Sequence, residues 1–188
     1  ILVLISCSMF GGRDEDAMPT ALGIEMIHTM SLVHDDLPLM DNDDLRRGRA
    51  TTHKVFGEQV AILAGDALLA EAFGYIARNS RGVNPSVVLE VIARISKAAS
   101  YDGLAGGQVR DLECEHIFEG LTMSDLEWIH IRKTAVLLNA AVACGALIGG
   151  ASPEDVARLE QYANYIGLAY QVIDDILDVT GETEVLGK

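Results

Sequence analysis

The chain has 188 residues, is 49% hydrophobic and contains only four prolines, so we expect one domain with a large core rather than a disordered segment. Its formal net charge of −14 disfavours nucleic-acid phosphates as partners and favours divalent cations wherever the acids cluster. The three cysteines, Cys7, Cys114 and Cys144, lack the spacing of a zinc site and are predicted to be reduced thiols.

Helical periodicity extends over almost the whole chain and predicts an all-α fold, a bundle of long helices around an apolar interior. Ser124 and Glu127 have the spacing of a capping box, and Pro153 follows a capping Ser152 at the start of the last helix. In chain order, the expected helices cover about residues 19–36, 58–79, 86–100, 103–118, 124–148 and 153–179.

The chain begins within a predicted helix and stops at Lys188, so residues 1–188 are expected to form a single domain that is incomplete at both ends. The longest apolar stretch, residues 134–151, contains Asn139 and three glycines and is shorter than the roughly 20 residues of a membrane span. We therefore predict a buried core helix there, no transmembrane segment, and a soluble protein.

An acidic cluster near the C-terminal end lies on an apolar helix. Asp174 and Asp178 are four residues apart, which places them within about 40° of each other on one helix face, and Gln171 shares that face. Carboxylate oxygens are the ligands that Mg2+ prefers. Several acids on a half-buried helix repel one another, so a bound cation would lower the free-energy cost of keeping them ionised.

A second acidic cluster follows the helix over 19–36. Asp35 and Asp41 are six residues apart, a spacing that an unbroken helix does not align, but Pro38 between them disfavours such a helix. A break at Pro38 would return Asp41 toward Asp35. A solvated acidic loop is the alternative for one such cluster, whereas two clusters next to apolar helices favour a cation site.

Basic and polar side chains suited to phosphate accompany the acids. Arg46 and Arg47 follow the first cluster directly, and guanidinium groups bind phosphate oxygens through paired hydrogen bonds. Surface ion pairs are the alternative for these arginines. Further along the chain, the candidates for the same site are Gln108, Asp111, Lys133 and Thr134. Each is weak alone, but together they describe a site for a metal-bound diphosphate attached to a hydrocarbon.

These motifs resemble those of the trans-isoprenyl diphosphate synthases, most of all the plant-plastid and bacterial geranylgeranyl or farnesyl type. The resemblance rests on Asp35-Asp36-x4-Asp41, on the following Arg46-Arg47-Gly48, on Asp174-Asp175-x-x-Asp178 and on the lead-in over residues 25–32. It implies the isoprenoid-synthase helical bundle around a central apolar cavity. It also implies a homodimer that uses Mg2+ to join isopentenyl diphosphate to dimethylallyl, geranyl or farnesyl diphosphate.

The resemblance also implies a role for each candidate residue. Mg2+ would be bound by Asp35, Asp41 and Asp174, with support from Asp36, Asp175 and Asp178. The allylic diphosphate would be contacted by Arg46, Lys133, Thr134, Gln171 and Lys188, with Gln108 and Asp111 lining its site. Isopentenyl diphosphate would be contacted by His28 and Arg47, although a core histidine is the simpler interpretation of His28 taken alone.

Product length is expected to depend on Met30 and Ser31, which lie one helical turn before Asp35. Neither is aromatic, so the pocket is predicted to stay open and to yield geranylgeranyl diphosphate. The alternatives are a farnesyl diphosphate synthase, a class I terpene cyclase, and a non-catalytic prenyl-synthase subunit. The resemblance leaves localisation open between plastid and cytoplasm.

Overall fold

The computed structural model describes residues 1–114 and 120–180, apart from the side chain of Asp178. It is almost entirely helical, which confirms the all-α prediction. The helices are α1 (Leu2–Met9), α2 (Asp14–Asp35), α3 (Thr52–Phe56), α4 (Glu58–Asn79), α5 (Pro85–Ala99), α6 (Leu104–Cys114), α7 (Met123–His130), α8 (Val136–Gly149) and α9 (Pro153–Thr180). A π-helical turn, Ile131–Ala135, joins α7 to α8 without a break, and we call it the π segment.

A short antiparallel hairpin departs from the purely helical expectation. Its strands, β1 (Leu45–Arg46) and β2 (Arg49–Ala50), are two residues each and pair Leu45 with Ala50. The connecting residues Arg47 and Gly48 both have positive φ, 53° and 73°. This conformation is typical of the tightest hairpin turns, and Gly48 provides it without steric cost. Strands this short have no alternation for a sequence pattern to detect.

Two helix starts differ from the predicted ones. α2 begins at Asp14, with three acids in its first turn, and continues through Pro19. Those acids lie at the positive end of the helix dipole and favour the earlier start. The predicted capping box at Ser124 and Glu127 is wrong. Thr122 Oγ1 accepts from the Asp125 backbone nitrogen, and Asp125 Oδ2 accepts from the Thr122 nitrogen, so α7 begins two residues earlier than the predicted box implies.

The core is centred on α8, whose residues 140–146 are all buried. α1 lies against α8 at very close range, because a Cβ atom on Gly145 would overlap the Val3 carbonyl oxygen. The prediction that residues 134–151 form a core helix is therefore confirmed for its central part. α2 packs against α4, where Gly23 contacts the side chain of Ile76. The largest fully buried side chains are Ile27, Ile76, Ile95, Val91, Thr20, Cys7 and Cys144.

Two helical stretches of the described chain, Glu58–Asn79 and Met123–Gly149, are long and apolar enough to cross a membrane by length and composition alone. Core helices of soluble proteins satisfy the same criteria, and the second stretch contains the buried centre of α8. The absence of a transmembrane segment stays a prediction.

The close contact between α1 and α8 can be tested with a pair of glycine substitutions. Gly145→Ala should lower the free energy of unfolding by about 1–3 kcal/mol, because the new methyl group meets backbone atoms of α1 that cannot move aside. Gly74→Ala is the matched control, since its methyl group would meet only the mobile end of Arg78. It should be neutral or stabilising by up to about 1 kcal/mol, as alanine favours helix. Equal denaturant midpoints for the two variants would contradict the packing.

Candidate functional site

The chain folds back on itself directly after α2. The Asp41 backbone nitrogen donates to the Asp35 carbonyl oxygen at 2.9 Å, and the nitrogens of Met40 and Asn42 donate to the Leu37 carbonyl. The turn begins where Pro38 ends the helical pattern. The prediction that a break would return Asp41 toward Asp35 is confirmed, and both acids stand at one end of the bundle.

Asp35 is held in a partly buried, polar environment. The Gln108 side-chain nitrogen on α6 donates to Asp35 Oδ1 at 2.6 Å. Burial raises the pKa of Asp35 to about 6; the nearby Lys133 ammonium opposes this shift, and the Asp41 carboxylate adds to it. The raised pKa measures the cost of holding this carboxylate ionised beside a second acid. A divalent cation at this position would offset that cost.

Asp36 faces a different partner from Asp35. Its side chain is buried, and its Oδ1 accepts from both Nε and Nη2 of Arg46 at 2.6 Å. Arg46 Nη2 also lies 3.6 Å from Asp43 Oδ2. The hairpin is thereby fastened to the end of α2. Arg46 was predicted to contact diphosphate and Asp36 to support metal binding. In this structure the two side chains form an ion pair with each other.

A small open cleft lies between α2 and the hairpin. Its volume is about 180 Å³, and Arg46 and Arg47 both line it. The other lining residues are Thr29, Leu32, Val33, Asp36, Ala50, Thr51 and Thr52. His28 is half-buried one helical turn before Leu32, on the same side of α2. The cleft therefore brings Arg47 near the helix face that carries His28, as expected if both contact one ligand.

The two residues assigned to product length differ in their surroundings. Met30 is buried in the hydrophobic core of the bundle. Ser31 is half-buried, and its hydroxyl donates to the His28 carbonyl oxygen at 2.8 Å. One turn below Asp35, Ser31 is small and Met30 is flexible, and neither side chain carries an aromatic ring.

The π segment presents Lys133 and Thr134 to opposite neighbours. Lys133 Nζ donates to Asp111 Oδ2 on α6 at 2.6 Å, and Thr134 Oγ1 donates to Gln171 Oε1 on α9 at 2.8 Å. Glycines permit both approaches: a Cβ on Gly107 would lie 2.6 Å from the Lys133 nitrogen, and one on Gly167 would overlap the Cβ of Ala135. π-helical turns frequently occur at functional sites.

The acids of α9 have different environments. Asp174 is exposed, whereas Asp175 is half-buried and accepts from Gln171 Nε2 at 3.1 Å. His130 Nε2 lies 3.0 Å from the second oxygen of Asp175. The predicted candidates Asp178, by its side chain, and Lys188 lie outside the described residues.

His130 is the residue that sequence reasoning missed. A signal was present: His130 precedes Thr134 by four residues, as Gln171 precedes Asp175 by four, so each pair lies along one helix face. Only the approach of α7 to α9 shows that the two pairs face each other. A lone histidine before a long apolar helix gives no such information.

The acids do not make a complete metal site by themselves. Across residues 1–114 and 120–180, no three histidine, cysteine or acidic side chains converge closely enough to hold a metal ion by themselves. Mg2+ is commonly bound by one or two carboxylates and completed by water and substrate phosphate oxygens. The Asp35 and Asp41 carboxylates, with Asp174 on α9, are of the right chemistry for such a bridged ion.

Known proteins resemble the whole chain. The family model for polyprenyl synthetase matches residues 1–188. A chloroplastic geranylgeranyl pyrophosphate synthase from Catharanthus roseus is 52% identical over 188 residues, all of this chain and 52% of the relative. The chain thus spans about half the length of the curated relatives it matches.

Two solved structures share the fold. An FPP/GFPP synthase from Zymomonas mobilis, solved in its apo form, superposes with a TM-score of 0.92 at 39% identity, covering 96% of this chain and 65% of that one. A geranyltransferase from Helicobacter pylori, complexed with magnesium and isoprenyl diphosphate, gives 0.88 at 31% identity, covering 99% and 63%. By the family model, the sequence identity and the shared architecture, the chain belongs to the polyprenyl synthetase family.

Proposed function

We propose that the protein containing this chain catalyses the Mg2+-dependent, head-to-tail condensation of isopentenyl diphosphate with an allylic diphosphate. The observation that carries the proposal is the meeting of Asp35 from α2, Gln108 from α6 and Lys133 from the π segment at one end of the bundle. Asp35 accepts from Gln108, while the Lys133 charge acts on the pKa of Asp35. Carboxylates suited to a metal ion and an ammonium group suited to phosphate thus share one site next to an apolar core.

Each group has a defined task in this reaction. Bound Mg2+ would neutralise the diphosphate that leaves the allylic carbon. Asp35, Asp41 and Asp174 would hold the metal ions. Lys133, Thr134, Gln171 and Arg46 would bind the diphosphate oxygens and keep them in place as negative charge develops. On the acceptor side, Arg47, which lines the cleft beside the hairpin, and His28 would orient isopentenyl diphosphate.

The bond changes follow from that arrangement. The allylic carbon–oxygen bond breaks, and its electron pair leaves with the diphosphate. The double bond of isopentenyl diphosphate then attacks the allylic cation to form a carbon–carbon bond, and a proton passes to the released diphosphate as the new double bond forms. The protein contributes positioning and charge neutralisation, and it keeps water from the cation.

The reaction is tested with the full-length protein, Mg2+, labelled isopentenyl diphosphate and each allylic primer in turn. Asp35→Ala and Asp174→Ala should each lower kcat/KM at least about 100-fold, because each removes a metal-binding carboxylate. Glu154→Ala is the matched control, because Glu154 is an exposed acid at the start of α9 that pairs with Arg158 on the same helix. This control should leave the rate unchanged.

Other outcomes would select another function. Release of a cyclic hydrocarbon without elongation would favour a class I terpene cyclase. No turnover by the full-length protein alone, with activity restored by a second subunit, would favour the non-catalytic subunit.

We further propose that the product is geranylgeranyl diphosphate, with farnesyl diphosphate as the alternative. The small half-buried Ser31 and the unbranched Met30 support an open pocket below Asp35. The similar enzyme from Zymomonas mobilis is an FPP/GFPP synthase, so product length varies among related proteins and must be measured.

Product length is measured by sizing the alcohols after dephosphorylation. The unmodified enzyme should release a C20 alcohol. Ser31→Phe should shift the product to C15 or shorter, because the ring would close the proposed pocket one turn below Asp35, and Ser31→Ala should leave the product unchanged. A C15 product from the unmodified enzyme would contradict the open-pocket hypothesis and retain the reaction class.

We propose a homodimer as the assembly. The support is the exposed apolar side of α4, where Val60, Ile62 and Leu63 are 49%, 43% and 66% exposed. Burial of such a surface between two copies would remove it from water. Sedimentation of the purified protein measures the oligomeric state.

A plastid location is supported by the name of the chloroplastic relative from Catharanthus roseus, with the cytoplasm as the alternative.

A further inference from the structure

A buried histidine connects the two helices that carry the phosphate-binding and metal-binding residues. His130 ends α7 immediately before the π segment, and it is only 4% exposed. Its Nε2 lies 3.0 Å from Asp175 Oδ2 on α9. A carboxylate can only accept, so the histidine nitrogen donates. We propose that His130 is a positioning residue that sets α9 at the correct place beside Lys133 and Thr134, an inference that rests on the proposed function.

The contact belongs to a chain of three hydrogen bonds, which the helical segment from His130 to Thr134 closes into a ring. Thr134 donates to Gln171, Gln171 donates to Asp175, and His130 donates to the other oxygen of Asp175. His130 and Thr134 stand four residues apart on one helix, as do Gln171 and Asp175 on the other. The ring therefore fixes both the rotation of α9 about its axis and its position along that axis, relative to the π segment.

Backbone packing extends the same interface by one more turn. Gly167, four residues before Gln171, lies so close to Ala135 that a Cβ atom on the glycine would overlap the alanine Cβ. Positions 167, 171 and 175 thus lie along the side of α9 that faces α7 and the π segment. The neighbouring Asp174 is left exposed beside this interface. Its carboxylate is carried by a helix whose placement depends on the ring.

The other buried or packed histidines of the described chain show what a purely structural role looks like. His53 lies in α3, and its Nδ1 is 3.1 Å from Oγ1 of Thr51, the residue directly before that helix. His34 Nε2 lies 3.1 Å from the carbonyl oxygen of Ile62 on α4. Only His130 among these three faces an acid of the second aspartate-rich motif. Both oxygens of Asp175 are engaged by protein donors, so this acid transmits the position of His130 to α9.

The test compares two amides at position 130 in the full-length protein. In His130→Gln the side-chain nitrogen occupies roughly the place of Nε2 and can still reach Asp175. In His130→Asn the same amide is one methylene shorter and falls short. The probe is Mg2+ with inorganic pyrophosphate, whose binding is measured by calorimetry without turnover. We expect His130→Asn to weaken this binding about tenfold or more, as for a lost hydrogen bond to a charged group, and His130→Gln to stay within about threefold of the unmodified protein.

A double substitution tests whether His130 acts through Asp175. In the Asp175→Ala background, exchange of His130 for Asn should change pyrophosphate binding less than about twofold. Additive losses would overturn the proposal. Asn139→Ala is the control for stability, because Asn139 forms a comparable polar link from α8 to Glu160 and Asn164 on α9, away from the motif. It should lower the melting temperature while leaving pyrophosphate binding unchanged.

The outcomes separate this proposal from the proposed function. If the unmodified protein elongates prenyl diphosphates and the Gln and Asn variants bind pyrophosphate equally, His130 is a core residue and only this proposal fails. If the unmodified protein performs no elongation, the proposed function fails, and a difference between Gln and Asn in pyrophosphate binding would still support the positioning role.

Discussion

The close approach of α9 to the π segment is the constraint on which the rest of the site depends. It requires a glycine at position 167, because any larger residue would meet Ala135. Once the two backbones are this near, the side chains of Thr134 and Gln171 can bridge them directly. Gly107 has the same effect on the other side, where it admits α6 to the backbone of Lys133. The π segment is thus enclosed between two helices that each contribute site residues.

Electrostatics opposes this arrangement while packing supports it. Asp35 is partly buried next to Asp41, and its raised pKa indicates that the ionised form is disfavoured there. Lys133 compensates in part, although its ammonium is already hydrogen-bonded to Asp111. In the proposed function, a cation bound between the acids would offset this repulsion.

The sequence predicted the features that depend on residue type and local spacing. The all-α fold follows from helical periodicity, and the return of Asp41 to Asp35 follows from Pro38. The pairing of Asp36 with Arg46 could not be predicted from the sequence, because this pairing depends on a hairpin of two-residue strands. The capping box was misplaced because Thr122 and Ser124 are both suitable caps, and only the local fold selects one. His130 was missed because its partner lies 45 residues further along the chain.

The π segment has a consequence for reading related sequences. A π-helical turn contains one residue more than an α-helical turn, so deletion of a single residue from 131–135 would restore a regular helix. Because a π turn and an α turn each complete one revolution, such a deletion would leave α7 and α8 in nearly the same relative rotation. The side chains within the segment itself, Lys133 and Thr134 among them, would take new directions. A one-residue gap at this point in an otherwise similar chain, with every aspartate intact, would therefore mark a protein that keeps the architecture and alters the contacts of the π segment.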